Sequence, residues 1–513
     1  MIYSSDNEML KKKGISKAVI EDQIKTFEKG IPYIRIKSAA TPGNGILVFD
    51  EDEKERLIQH FEEGIKGKSL LKFVPASGAA TRMFKSLFSL REKLLNNPHD
   101  PETHESVNDF FNKLPRFAFF KDLKESLEKD GHNYEKVKSE KDFILISSYL
   151  LSDKGLNYGA TPKALIKFHD YGDTVRTALE EHLVEGALYG KDDKQKVKLH
   201  LTISAEHETA VKELIEKVLN TYQSHYDVTY HITYSQQKPS TDTIAVDMQN
   251  KPFRNDDGSL LFRPGGHGAL IENLNDIHAD IIFIKNIDNI VPDRLREPTV
   301  RYKKVIGGLL LQLCLQIDTY LSQLEKGSCS EKMLDNICAF AEDTLFIDMQ
   351  AAGGMSISSR QAYLYQKLNR PVRICAMVKN EGEPGGGPFW TINPKNKEVS
   401  LQIVEASQID MSNTEQKAIV QQATHFNPVD IVCRTKDYKG RKFDLLSFVD
   451  KDAGFISIKS KDGKDLKALE LPGLWNGAMA DWITIFVEVP IVTFNPVKTI
   501  DDLLRKEHLN HQQ

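Results

Sequence analysis

Hydrophobic positions recur in two rhythms along this chain. Glu51 to Ile65 (EDEKERLIQHFEEGI) sets Leu57, Phe61 and Ile65 at four-residue steps, the stripe of a surface helix that docks on a core through one face. At Ser69 the rhythm changes. A short β-rich run, SLLKFV, is followed by small residues, PASGAAT, and then by MFKSLFSLREKLL at helical spacing. Strand, small-residue loop and helix make the first half of a βαβ unit. The unit resumes with Val197–Ser204 as strand, Glu208–Tyr222 as amphipathic helix and Val228–Tyr234 as strand. Asp280–Ile284 (DIIFI) is almost continuously apolar, as a strand covered on both faces must be. Past residue 300 a helical stretch runs to about 370, and Val372–Val378, Val399–Val404 and Phe455–Ile458 read as further strands.

Strands alternating with helices predict an α/β fold with a mainly parallel mixed sheet flanked by helices and joined by right-handed crossovers. Ligands of such sheets bind at the carboxyl ends of the strands. The expected organisation is an N-terminal helical extension over 1–66 and an α/β core over 67–410. Polar helical insertions are expected at about 86–158 and 300–370, and a C-terminal β-containing region over 411–513 that returns to the site near 494–498.

Composition narrows the function classes. The chain of 513 residues is 40% hydrophobic and 27% charged, with net charge -5, which suits a folded globular protein and not a general nucleic-acid binder. Met1–Gly14 has no apolar core to follow its charges, so no targeting segment is expected. The longest apolar run, Val305–Ile317, is too short to span a bilayer and holds two glutamines, so it predicts a buried helix and no membrane partner. Five cysteines without CxxC spacing read as reduced thiols of a cytoplasmic protein.

Three segments carry candidate chemistry. In Pro75–Arg82 (PASGAATR), small side chains let backbone N–H groups approach a phosphate chain, and Arg82 ends the loop with a guanidinium fork. A plain strand-to-helix turn would read the same way. Gly64–Ser69 (GIKGKS) is no P-loop, because Glu62 stands where the first glycine belongs and the segment precedes its strand. Lys163 follows Pro162 in a loop and is placed to neutralise phosphate, or is one solvated lysine in a chain with 68 Lys and Arg. Arg263–Leu270 (RPGGHGAL) is a glycine-rich loop with one histidine, and the strand DIIFI runs into Lys285-Asn286-Ile287-Asp288-Asn289. A carboxylate directly after a buried parallel strand suits Mg²⁺, although Asp also ends strands as an Asx turn. His425, Trp475 and Gly385–Gly387 read as turn or core residues.

RPGGHGAL followed by FIKNIDNIV resembles the glycine-histidine-glycine loop and strand end of the eukaryotic-type UDP-sugar pyrophosphorylases, the UDP-glucose and UDP-N-acetylglucosamine enzymes of the GT-A nucleotidyltransferase fold. PASGAATR, TPKAL, LTISAEHET, SLQIVEASQID and FNPVK fall in the family's order, so the resemblance spans roughly residues 70–500 in short islands. The chain also resembles, more closely, an uncharacterised bacterial family of that fold, DUF4301-like.

The resemblance implies a reaction in which a sugar 1-phosphate and a nucleoside triphosphate, UTP first, give a nucleotide sugar and pyrophosphate. It implies that Ser77, Gly78, Ala79, Ala80 and Thr81 cradle the nucleotide and Arg82 the departing pyrophosphate, with Lys163 on the nucleotide phosphates. It places Gly266, His267 and Gly268 at the uridine and sugar phosphate, Asp288 on Mg²⁺, Asn289 and Lys498 at the sugar phosphate and Glu405 on sugar hydroxyls. Ser77 and Ala80 replace two glycines usual in that loop, and a β-carbon there restricts the backbone and thickens the approach to phosphate. A non-catalytic nucleotide or nucleotide-sugar binder on the same scaffold is therefore the alternative. A glycosyltransferase of the same fold fits less well, because Asp288-Asn289-Ile290 lacks an Asp-x-Asp arrangement. No nucleophile elbow stands at Gly354–Ser358, and no HExxH or Cys/His cluster points to zinc.

Overall fold

The computed structural model describes residues 3–78, 80–327, 329–382 and 385–509. The fold is α/β with helices and several sheets. The chain forms two compact units, passing from one to the other after Leu71, Gln236, Ile284, Tyr302 and Val489. The units are thus interleaved along the sequence, unlike the consecutive division expected at 66 and 410.

In the first unit, strands Gly45–Leu47, Ile483–Glu488, Val372–Lys379 and Asp430–Arg434 lie side by side. Val372–Lys379 pairs in parallel with Ile483–Glu488 and antiparallel with Asp430–Arg434. Two smaller sheets, Ile36–Ala39 with Gly387–Ile392 and Val399–Val404, and Phe262–Arg263 with Thr243–Val246, Lys464–Glu470 and Phe455–Lys461, are wholly antiparallel. Pairing is therefore mixed, parallel from Gly45–Leu47 through Val372–Lys379 and antiparallel at Asp430–Arg434 and in the two smaller sheets.

The N-terminal extension is not only helical. Helices Asn7–Lys13 and Lys17–Lys29 bury Leu10, Ile20 and Phe27 against Ile244, Val246 and Leu469, and Ile36–Ala39 joins a sheet. The predicted helix forms as Glu51–Gly64, started by an Asp50–Glu53 capping box, with Leu57 and Phe61 buried and Ile65 half-buried. The apolar run Val305–Ile317 lies inside helix Arg296–Glu325, which is long and apolar enough to cross a membrane by length and composition. Val305, Ile306, Leu309, Leu310, Leu313 and Ile317 are buried within the fold, while Leu315 is 72% exposed, so the run is one-faced.

The second unit is built on three parallel strands, Leu70–Pro75, Lys196–Thr202 and Thr229–Ser235, with Lys72 opposite Leu199 and Lys196 opposite Thr229. The segment expected as a polar insertion forms helices Lys85–Asn96, Pro101–Lys113, Phe120–Lys129, Tyr134–Ser139 and Phe143–Leu151. It is amphipathic, not merely polar. Val107, Phe110, Leu114, Phe119, Leu123, Leu127 and Leu150 enter the same core as Val74, Leu199 and Leu201 of the strands. Charges on the outer face hid that stripe in the composition.

Phe119 is fully buried, stacked on Phe117 at 4.9 Å and edge-on to Tyr158 at 5.3 Å. Phe119→Ala removes a buried ring and leaves a cavity, a loss of about 3–5 kcal/mol. Urea unfolding of the variant measures it, and a loss below about 1 kcal/mol would put these helices outside the core.

Candidate functional site

The sharpest constellation in the second unit grows from the end of strand Ile281–Lys285. Asp288 lies three residues beyond it, buried to 6% exposure, and two lysines converge on one of its oxygens. Lys163 Nζ and Lys498 Nζ each donate to Asp288 Oδ2 at 2.9 Å. Lys163 also donates to the Val497 carbonyl at 2.8 Å. The Asp288 and Lys163 side chains are 8% and 15% exposed but Lys498 is 59% exposed, so the cluster opens to solvent at Lys498. Burial by itself would raise the Asp288 carboxyl, but the charges of Lys163 and Lys498 outweigh it and hold the group below its ordinary value. Its other oxygen, Oδ1, is buried and accepts no hydrogen bond from the described residues.

Local backbone explains the convergence. Val497 N–H donates to the Asp288 carbonyl at 3.1 Å, Asn495 N–H donates to Asn289 Oδ1 at 3.0 Å, and Asn289 bridges to Pro496. Asn289, expected at the sugar phosphate, thus spends its carbonyl oxygen on the chain that carries Lys498, and its Nδ2 stays unpaired. Lys498 N–H and Thr499 N–H both donate to Asp502 Oδ2, at 2.8 and 2.7 Å, which fixes the turn after the lysine.

The small-residue loop adjoins this cluster. Lys163 N–H donates to the Gly78 carbonyl at 3.4 Å, Ala80 N–H to the Thr161 carbonyl at 3.1 Å, and Ile500 N–H to the Met83 carbonyl at 3.0 Å. Thr81 Oγ1 donates to the Gly159 carbonyl at 3.2 Å. Arg82 is exposed on the turn Ala80–Arg82 and makes no ion pair among the described residues. Ala79 lies outside the described residues. Ala80 is fully buried with Ala76, Met83 and Phe84, so its methyl faces the core. Ser77 is half-buried, and Gly78 is exposed with no atom within 4 Å of where a β-carbon would stand.

The first unit holds a second constellation. His267 sits on the turn Gly266–Ala269, and its ring stacks on Trp475 with centroids 4.7 Å apart and planes 20° from parallel. A β-carbon on Gly473 would fall 2.2 Å from His267 Nε2, and one on Gly268 would fall 2.7 Å from the Pro472 carbonyl. Glycine is required at both for the ring and the two loops to meet. Gly266 takes φ +63°, which glycine adopts at no steric cost. Glu405 accepts from Asn476 Nδ2 at 2.8 Å and stands 3.8 Å from His267 Nε2. Burial lowers the His267 imidazole below its ordinary value against the charges of Glu405 and Glu470, so the ring is neutral at neutral pH and Nε2 has no hydrogen-bond partner. Trp475, expected as a core or turn residue, is thus the platform under this histidine. His425 is structural, buried with Nε2 3.0 Å from Glu488.

Residues 3–509 match the family described as "Domain of unknown function (DUF4301)". The chain belongs to that family. No curated protein matches it. Among solved structures, this DUF4301 chain is similar to UDP-N-acetylglucosamine pyrophosphorylase from Trypanosoma brucei at 10% identity and a TM-score of 0.48, over 98% of this chain and 79% of that one. It is similar to a UDP-glucose phosphorylase from the same organism at 12% identity and 0.45, over 98% and 77%. UDP-glucose pyrophosphorylase from Leishmania major follows at 13% and 0.44, over 98% and 79%.

One element escaped the sequence reading of this DUF4301 chain altogether. Helix Ala178–Tyr189 (ALEEHLVEGALY) is buried on nearly every side, including Glu180, Glu181, His182 and Glu185. It fastens the segment that carries Asp288 at three points. Glu185 Oε1 accepts from Lys285 Nζ at 2.7 Å, His182 Nε2 lies 3.2 Å from the Ile287 carbonyl, and Glu181 takes the Arg296 guanidinium. Glu181 also receives His169 Nδ1 at 2.8 Å and Tyr171 Oη at 2.7 Å, and His169 Nε2 meets His508 Nδ1 at 2.9 Å. The available signal was a helix with carboxylates in its first turn and apolar residues on every face, which only burial with partners can accommodate.

Burial would raise the Glu181 carboxyl, but the His169 hydrogen bond and the charges of His169, Arg296 and Arg176 hold it at about 2, against an ordinary 4.5. A carboxyl lowered by folding contributes stability above its unfolded value and loses it as pH falls toward the folded one. Stability is therefore expected to fall from about pH 4.5 downward, and Glu181→Gln to flatten that limb. Urea midpoints of both proteins across the acid range decide it, and parallel losses would refute the assignment.

Proposed function

We propose that this protein is a nucleotidyltransferase that joins a sugar 1-phosphate to a nucleoside triphosphate, UTP first, giving a nucleotide sugar and pyrophosphate. The observation that carries the reading is the Asp288 cluster. Two lysines share one carboxylate oxygen, the other oxygen is buried without a partner, and an exposed arginine stands on a small-residue turn tied to the same backbone. Transfer of this kind needs charge neutralisation and alignment more than a covalent nucleophile.

In the proposed reaction an oxygen of the sugar 1-phosphate attacks the α-phosphorus in line. The new P–O bond forms as the bond to the β-phosphate oxygen breaks, and pyrophosphate carries away the electron pair. Lys163 and Lys498 exchange the Asp288 oxygen for phosphate oxygens as the anion arrives, and Arg82 holds the leaving pyrophosphate. Backbone N–H groups at Ser77 and Gly78 line the approach. In the first unit, taken by itself, a neutral imidazole on an indole offers a flat apolar face at His267 and Glu405 an acceptor for hydroxyls.

Mg²⁺ fits the donor set in one way. Among the described residues no group of three or more His, Cys, Asp or Glu converges to ligate a metal. Mg²⁺ habitually takes one or two carboxylates and fills its octahedron with water and substrate phosphate, and the unpaired Oδ1 of Asp288 supplies such a carboxylate. Bound there, the ion would neutralise phosphate charge. Binding without turnover is the second reading, and Ser77, which adds a β-carbon and a hydroxyl where glycine is usual in similar loops, is what favours it.

Pyrophosphate release over a panel of nucleoside triphosphates and sugar 1-phosphates with Mg²⁺ tests turnover, and nucleotide binding without any release would establish the second reading. Asp288→Asn is expected to lower kcat by about two orders of magnitude or more while nucleotide binding holds or tightens, because two lysines lose their counterion. Unchanged kcat would reduce Asp288 to a counterion. Lys163→Ala is expected to weaken nucleotide binding about ten- to a hundredfold in calorimetry, the loss of a charge-assisted hydrogen bond. Wild-type affinity would remove Lys163 from the phosphate site.

A further inference from the structure

In the first unit, adjacent residues of one loop serve His267 and the carboxylate beside it. Trp475 lies under the imidazole, with centroids 4.7 Å apart, and Asn476 Nδ2 donates to Glu405 Oε1 at 2.8 Å. The loop is held by its own backbone. Arg373, fully buried, donates to the Trp475 carbonyl at 2.6 Å and, through Nε, to Thr484 Oγ1 at 2.8 Å. The ring has no room to retreat, because a β-carbon on Gly473 would fall 2.2 Å from its Nε2. Floor, loop and ring are thus fixed, and the Glu405 side chain, 29% exposed, is the part with room to move.

Nε2 is the unsatisfied atom of this arrangement. It is buried with no hydrogen-bond partner, and Glu405 Oε1 stands 3.8 Å away, beyond bonding distance. A shift of about 1 Å would close the gap to an ordinary N–H···O length. Buried polar atoms are seldom left unpaired, and hydrogen bonds of a binding site are often long until the ligand arrives. Nδ1 is placed differently. It lies farther from Gly473 than Nε2, Cδ2 and Cε1 do, on a side chain that is 37% exposed, and it makes no hydrogen bond among the described residues.

We propose that Glu405 is a positioning residue that acts on the nucleoside through His267: on binding it accepts Nε2–H, which fixes the tautomer and leaves Nδ1 to accept a hydrogen bond from the nucleoside. The donor is the N–H of the base or a hydroxyl of the ribose. The inference rests on the nucleotidyltransferase reading and deepens it. It gives Glu405 a different task from the direct contact with sugar hydroxyls that the resemblance implies, and it keeps phosphate away from Nδ1, since two acceptors repel.

Charge favours this tautomer. Glu405 and Glu470 both face the ring, and Glu470 already accepts Ser457 Oγ at 3.0 Å with Lys459 Nζ 3.8 Å from the same oxygen. A proton on Nε2 points toward Glu405, whereas a proton on Nδ1 would leave the Nε2 lone pair against a carboxylate. Burial keeps the ring neutral against both carboxylates, so Nδ1 retains its lone pair at neutral pH.

The test is calorimetric titration of the full chain with UMP, each variant's folding being read from circular dichroism and cooperative melting. Affinity is expected to fall about tenfold in Glu405→Ala and in His267→Leu, and no further in the double variant, because the two residues act in series. Glu405→Gln, whose carbonyl can still accept Nε2–H, should keep the affinity. In long-range proton–nitrogen spectra of histidine-labelled protein, with His267→Leu to assign the ring, UMP should bring His267 to the Nε2–H tautomer alone in the wild type and in Glu405→Gln, and leave it mixed in Glu405→Ala. N3-methyl-UMP lacks the imide N–H, and the 2′- and 3′-deoxy forms each lack a ribose hydroxyl. The analogue without the true donor should bind about tenfold more weakly to the wild type and no more weakly than UMP to Glu405→Ala. Should the protein prefer another nucleoside monophosphate, the same cycle is run with it and its N-methyl and deoxy forms. Unchanged affinity in Glu405→Ala, additive losses in the double variant, or equal discrimination among the analogues by both proteins would overturn the relay and leave the nucleotidyltransferase reading standing. A wild-type protein that binds no nucleotide would overturn both.

Discussion

A carboxylate nearly sealed from water stays ionised only if positive charge stands against it, and Asp288 has that charge twice over on a single oxygen. Most of the local architecture follows from meeting this condition. Lys163 comes from a segment after the helical core, and Lys498 comes from a segment near the C-terminus. Neither approaches Asp288 through its side chain alone. Lys163 is braced on the Val497 carbonyl, and Val497 is braced on the Asp288 backbone, so the two lysines and the carboxylate form a closed circuit of hydrogen bonds. In the proposed function such a circuit has one reason to open, since a phosphate oxygen would replace Oδ2 for both ammonium groups at once.

The circuit would wander if the chain between Lys285 and Arg296 were free. Helix Ala178–Tyr189 prevents that by meeting the segment at Lys285, Ile287 and Arg296 with Glu185, His182 and Glu181, from two successive turns. The cost is a helix that buries four charged or polar side chains in its first two turns, each of which needs a partner. For Glu181, His182 and Glu185 those partners lie on the segment that carries Asp288, so what looks like an expense of folding is also its alignment. The C-terminal end is held in the same style, with Arg294 on the carbonyls of Lys506 and Leu509 and His508 stacked on His169. Burial and the neighbouring His169 lower the His508 imidazole to about 3, so it remains a neutral ring in that stack.

The legible parts of the sequence were those whose physics is local. Four-residue apolar steps marked helix Glu51–Gly64, a β-rich run marked Leu70–Pro75 and an almost continuously apolar one marked Ile281–Lys285. The segments holding Arg82, Lys163 and Asp288 drew notice because loops between such elements expose chemistry, and Lys498 entered only through the family resemblance. What pattern could not supply was long-range pairing. Whether Val372–Lys379 runs parallel or antiparallel to each neighbour depends on where the chain returns, and the interleaving of the two units depends on the same returns. Charged residues misled twice, in the helices after Lys85, whose inner stripe is core, and in Ala178–Tyr189, whose charges are inside. Trp475 carried no local sign of its partner, since a stack between residues two hundred positions apart has no periodicity to betray it.

The substituted loop gives the last step. A glycine-rich turn grips phosphate mainly through backbone N–H groups that can be approached closely, whereas cationic side chains grip it through charge at longer range. In this chain Gly78 is the one glycine between Pro75 and Arg82. The methyl of Ala80 is turned into the core, so the substitution costs little room, but it also fixes that part of the turn against the helices instead of leaving it to wrap an anion. Weaker backbone wrapping would have to be offset by charge if phosphate is to be held as proposed, and the second unit carries several cationic side chains. Arg82 and Lys498 stand at the surface, Lys163 stands beneath them, and Lys72 and Lys285 stand in the core. Asp288 and Glu185 stand among them, each shared between two lysines. In the proposed function a site so arranged would attract an anion before shaping one, and the shaping would fall to what the anion brings with it, a cation on Asp288 Oδ1 or the second substrate.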